Sequence, residues 1–168
     1  NSLVSFYRDD GRSTSGTGGQ GPSLTEMLKQ SDSWLEQTHD YIQWLFPTKQ
    51  ASQMVPNAPV LSDADIVEVG RKGEKPQRNM VSALGRMLEF YGLTIVERWN
   101  MLYVRKGENF DLNAKWMEAS DHNALRLTRI ISSLRAFKLE DYADALQEFL
   151  CELPELRGHP SQEFWSEA

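Results

Sequence analysis

The chain has 168 residues, 40% of them hydrophobic, 25% charged and 10% aromatic, with a formal net charge of −6. That is enough for one ordinary domain with a real core and too little for two comfortable ones. No apolar run approaches the roughly 18–20 residues of a membrane-spanning helix, and no basic segment followed by an apolar core opens the chain as a secretion signal would. A soluble protein without membrane insertion is expected. Cys151 is the single cysteine. A lone thiol suits a reducing compartment, which points to the cytoplasm, or to the nucleus if the chain is part of a eukaryotic protein. Residues 138–168 hold two cations against eight anions and so carry the whole negative balance. Nucleic-acid binding usually shows a basic excess, because phosphate neutralisation dominates the affinity, so nucleic acid is not an expected partner.

In chain order, the apolar opening Leu3–Tyr7 runs into a Gly/Ser/Thr-rich stretch from Gly11 to Pro22, read as a loop. Ser23 with Glu26 has capping-box spacing and predicts a short helix through Met27 and Leu28. Ser33 with Glu36 repeats the spacing and opens a second helix to about Phe46, stopped by Pro47. Residues 48–61 have no period and read as a connecting loop. Ser62 before Asp63-Ala64-Asp65 opens a helix ending near Gly70 or Gly73. Met80, Leu84, Met87, Leu88 and Tyr91 recur at helical spacing, with Gly92 in the place of a C-terminal cap. Residues 93–106 are β-branched, aromatic and aliphatic around Asn100, which predicts a short hairpin. Helices are expected over Asn109–Ala119, from a Ser120 or Asp121 cap to about Phe137, and from about Glu140 to Leu153. Ser161 is placed to cap a last turn holding Phe164 and Trp165. The predicted fold is a mainly α, compact single-domain bundle of about six to seven helices with at most a small β-hairpin. Its divisions are an N-terminal segment and loop over 1–22, a helical domain over 23–153 and an acidic tail over 154–168.

On the helix after Asp121, Leu127, Ile130, Ile131, Leu134 and Phe137 form an apolar stripe, while His122, Arg126, Arg129 and Ser133 share one edge. Two arginines beside a histidine near a helix start can hold a carboxylate or phosphate through forked donors. They can equally be structural, paired with acids such as Glu36, Asp40 or those of the last helix. His39 falls on the apolar side of its own predicted helix, so a buried or half-buried histidine with a hydrogen-bond partner is expected there. The run Tyr41-Ile42-Gln43-Trp44-Leu45-Phe46-Pro47 cannot all face one way; it packs in the core on several sides or leaves an aromatic surface for a ligand. With three histidines and one cysteine no compact metal-ligand motif forms. There is no phosphate loop, nucleophile elbow or dinucleotide fingerprint. Gly16, Gly18 and Gly19 lack a preceding strand and a following lysine and read as loop. Cys151 lies among acids that raise a thiol pKa. No catalytic residue, metal site or cofactor is therefore assigned.

Ser5-Phe6-Tyr7-Arg8, His39-Asp40-Tyr41-Ile42-Gln43-Trp44-Leu45-Phe46-Pro47, Met87-Leu88-Glu89-Phe90-Tyr91-Gly92, and His122 through Ile130 with Ser133-Leu134 resemble, in order, the core domain of the opioid growth factor receptor family. The resemblance covers roughly residues 3–153. It implies a helical domain rather than a seven-helix membrane receptor. For the animal members it implies binding of an endogenous opioid pentapeptide and a nuclear, growth-restraining role. A basic nuclear-import cluster and a repetitive C-terminal extension are missing, which leaves a trimmed domain or a single-domain relative such as microbes carry. The family supplies no catalytic residues. The function expected is a binding module for a peptide or small anionic ligand, or for a protein partner. Its expected contacts are His39, Tyr41, Gln43, Trp44, His122, Asn123, Arg126 and Arg129. The alternative is an enzyme or binder acting on a phosphate or nucleotide through the His/Arg residues.

Overall fold

The computed structural model describes residues 2–16, 19–118 and 121–168. Among them ten α-helices, two short 3-10 turns and one hairpin form a mainly α fold. The helices outnumber the sequence expectation because several are single turns of four to six residues. None of the described helices is long and apolar enough to cross a membrane. Contacts group the chain into two units: residues up to Ala83 with Ala136–Lys138, and Leu84–Arg135 with Leu139–Ala168.

In the first unit the apolar opening is a helix, α1 (Ser2–Tyr7), with Leu3, Val4, Phe6 and Tyr7 buried. Phe6 meets Trp44 edge-on at 5.4 Å, and Tyr7 meets Phe137 at 4.6 Å. Burial pushes the Tyr7 hydroxyl far above its ordinary pKa, and the hydroxyl donates to the Leu45 carbonyl. The capping box expected at Ser23 is present: Ser23 Oγ accepts from the Glu26 amide, Glu26 Oε2 accepts from the Ser23 amide, and α2 (Leu24–Leu28) follows.

The second expected helix is interrupted. Ser31, not Ser33, caps α3 (Asp32–Gln37), because its Oγ accepts from the Trp34 amide three residues on. The helix stops where Thr38 takes an extended conformation. Just beyond, the Asp40 carboxylate accepts from Ser15 Oγ at 2.7 Å and from the Gly16 amide at 2.8 Å, and helix resumes only as α4 (Ile42–Leu45). Ser62 and Asp65 close a second reciprocal box at the start of α5 (Asp63–Val69). Helix α6 (Lys75–Phe90) begins in this unit. There Gln77 Nε2 donates to the Phe137 carbonyl at 2.8 Å, and Asn79 Nδ2 donates to the Tyr7 carbonyl at 2.7 Å.

In the second unit α6 ends at Gly92, whose φ of 76° is the left-handed value expected of a C-terminal glycine cap. The hairpin follows as antiparallel strands β1 (Leu93–Arg98) and β2 (Met101–Lys106), with Ile95 opposite Val104. Its two-residue turn, Trp99-Asn100, has positive φ at both positions, as this kind of hairpin turn demands. The helix expected from Asn109 is a turn, α7 (Phe110–Asn113), and a 3-10 turn, Ala114–Met117; Gly18, Ala119 and Ser120 lie outside the described residues. Helices α8 (Asn123–Ala136) and α9 (Glu140–Glu152) match their expected spans to within a residue or two at each end. The tail forms α10 (Gln162–Glu167), packed on α9. Trp165 Nε1 donates to the Ala124 carbonyl at 3.1 Å, and Gln147 Nε2 to the Trp165 carbonyl at 2.8 Å. Ser161 precedes α10 without a side-chain cap bond; its amide donates instead to His159 Nδ1 at 3.0 Å.

Gly92 is the most crowded glycine of this unit, since a Cβ there would lie 2.7 Å from the Phe110 Cα. Strain at a positive φ together with a clash against backbone predicts that Gly92→Ala destabilises by about 2 kcal/mol or more, read as a fall in the denaturant midpoint.

Candidate functional site

The expected site residues fall in two groups, one in each unit. In the first, His39 is exposed rather than buried, because α3 ends two residues earlier and His39 lies on no helical face. Tyr41, Gln43 and Trp44 are buried, so the aromatic run packs as core, with Trp34 tilted against Tyr41 at 5.2 Å. Gln43 Oε1 is buried without a hydrogen-bond partner among the described residues. Trp44 also forms one wall of an open cleft of about 300 Å³, shared with Thr14, Asp40, Val55, Asn57 and Ala58.

The second group lies on the first two turns of α8. Asp121 Oδ1 accepts from the Asn123 amide at 2.7 Å, which satisfies a free helix-end donor and starts the helix where the sequence placed its cap. Asn123 is buried, and its Oδ1 accepts from Arg126 Nη1 at 3.2 Å and, at 3.4 Å, from the Tyr91 hydroxyl. Arg126 is only 7% exposed. One turn further Arg129 is half-buried, and loss of water lowers its pKa to about 10. His122 is exposed and stands 4.0 Å from the Asp121 carboxylate. The edge thus carries one buried and one half-buried guanidinium group.

A second cleft, of about 340 Å³, opens between β2 and α9 within the second unit. No motif marks its residues in the sequence, because strand and helix lie some forty positions apart and only their packing makes a cavity. The one legible signal was the acidic bias of the last helices.

A mainly helical domain with a single hairpin is the class that these elements define. Residues 4–157 match the conserved region of the opioid growth factor receptor, and the chain belongs to that family. It is 33% identical to the mouse opioid growth factor receptor over 129 residues, 77% of this chain and 20% of that protein. With the human receptor it shares 31% over 152 residues, 89% of this chain and 21% of the relative. The mouse opioid growth factor receptor-like protein 1 is 32% identical over 116 residues, 69% of this chain and 24% of the relative. The chain therefore spans about a fifth of the length of the relatives it matches. No solved structure matches it.

The Asp121 contact is exposed to a direct test. Asp121→Ala should lower stability by about 1 kcal/mol through loss of the helix-start acceptor, measured by thermal or urea unfolding.

Proposed function

We propose that the chain is a ligand-binding module of the opioid growth factor receptor family that takes a short peptide through its carboxylate. The ligand edge is that of α8, with Arg126 and Arg129 on the anion and Asn123 and His122 beside it. Two of the relatives carry names that make them receptors for opioid growth factor, and this supports a peptide as the ligand class. The observation that carries the reading is the desolvation of the α8 arginines: Arg126 is nearly fully buried, and burial holds the Arg129 pKa near 10. A guanidinium kept from water makes stronger charge-assisted hydrogen bonds than one on the surface.

The experiment is thermal unfolding with the opioid pentapeptide as free acid, the same peptide as C-terminal amide, and a scrambled free acid. At 100 times its dissociation constant a ligand adds about 2.7 kcal/mol of stability, a readily visible shift. Stabilisation is expected from the free acid, with the amide bound at least tenfold more weakly, and Arg129→Ala should cost about 10- to 100-fold in affinity, the worth of a hydrogen bond to a charged group. Equal shifts from acid and amide, or full affinity in a folded Arg129→Ala protein, would overturn the assignment.

A further inference from the structure

The geometry points to the cleft between β2 and α9 as a docking groove for a partner protein's segment in which an apolar side chain is flanked by lysine or arginine. This goes beyond the ligand edge on α8, which carries the opposite charge. The floor and one wall are apolar: Val104 and Ala145 are buried, and Tyr103 and Phe149 are half-buried along the opening. Glu148 and Glu152 line the same cleft one helical turn apart on α9, both exposed.

The ion pairs seen among the described residues near the cleft do not engage these two carboxylates. Lys106 pairs with Glu155, and Arg135 takes Glu140 at 2.6 Å and Asp144 at 2.9 Å. Arg105 of β2 also lines the cleft, but it is folded onto its own strand: its guanidinium sits 4.7 Å from the Tyr103 ring centroid, and Nη1 donates to the Val104 carbonyl at 3.0 Å. Among the described residues Glu148 and Glu152 have no basic partner. Beside them the Cys151 thiol is pushed up, first by burial and then by the Glu152 charge. Two unpaired acids above an apolar floor are complementary to a segment that buries one aliphatic or aromatic side chain and sets a cation against each carboxylate. Apolar burial then supplies affinity, while the charges set orientation and partner choice.

The test uses fluorescence anisotropy with an acetylated, amidated peptide Gly-Lys-Phe-Lys-Leu-Lys-Gly and its counterpart with glutamate in place of each lysine. Saturable binding of the lysine peptide alone is expected, weakening steeply as salt is raised. The double substitution Glu148→Gln with Glu152→Gln should weaken it at least tenfold, and Tyr103→Ser should weaken it as well. Glu163→Gln with Glu167→Gln removes the same charge from exposed positions on α10 and should leave binding unchanged; melting curves of each variant verify the fold. No saturable binding, or an equal loss in the α10 variant, overturns the proposal, the second outcome meaning diffuse attraction to an acidic surface. Arg129→Ala leaves this binding intact if the groove is separate from the α8 ligand edge, so the two readings fail independently; a loss in that folded variant overturns the groove.

Discussion

Helix α9 has to satisfy two neighbours at once, and the second unit is organised around that demand. It packs β2 and α10, and it does so with small and aliphatic side chains, Ala143, Ala145, Leu146 and Leu150, all buried. Close approach on both sides leaves only the remaining stripe for charge, so Glu148 and Glu152 stand at the edge of the strand contact. On the α10 side the polar work is done by two long side chains: Arg135 spans Glu140, Asp144 and the Ala168 carbonyl, while Gln147 collects carbonyls from Trp165, Ser166 and Ala168. Burial opposes the charge on Arg135, but its bonds to Glu140 and Asp144 win, and its pKa is raised. These pairs are partly exposed, so their value lies in positioning more than in stability.

The first unit solves a different problem. Its apolar N-terminal helix is too short to persist alone, since a helix under about twelve residues is marginal in water without a partner. Burial of Phe6 and Tyr7 against Trp44 and Phe137 holds it, with the Tyr7 hydroxyl and the Asn79 amide consuming carbonyls at Leu45 and Tyr7 itself. The aromatic run after Asp40 therefore serves the core on several sides. Trp44 also borders a cleft.

Two kinds of charge management coexist in the second unit. On α8 the arginines are drawn into the protein: Arg126 is buried, and Arg129 is half-buried with its pKa lowered by loss of water. On α9 the carboxylates of Glu148 and Glu152 remain in solvent, beside the apolar residues that line the same cleft.

Local chemistry was legible in the residues alone. The reciprocal cap at Ser23, the acidic helix start after Ser62, the glycine at position 92, the turn at Asn100 and the long helices α6, α8 and α9 each follow from a side chain acting within three or four positions, or from a period that any window reveals. The family was legible too, because its blocks are contiguous strings. The sequence missed the break between α3 and α4 because its cause is distant: Asp40 is bound by Ser15 and Gly16, and that contact exposes His39 where a continuous helix would have buried it. Tertiary packing likewise decided that Arg126 and Arg129 lose water, and that β2 and α9 enclose a cavity. Burial and desolvation belong to a surface made by several segments, and no window of one segment contains them.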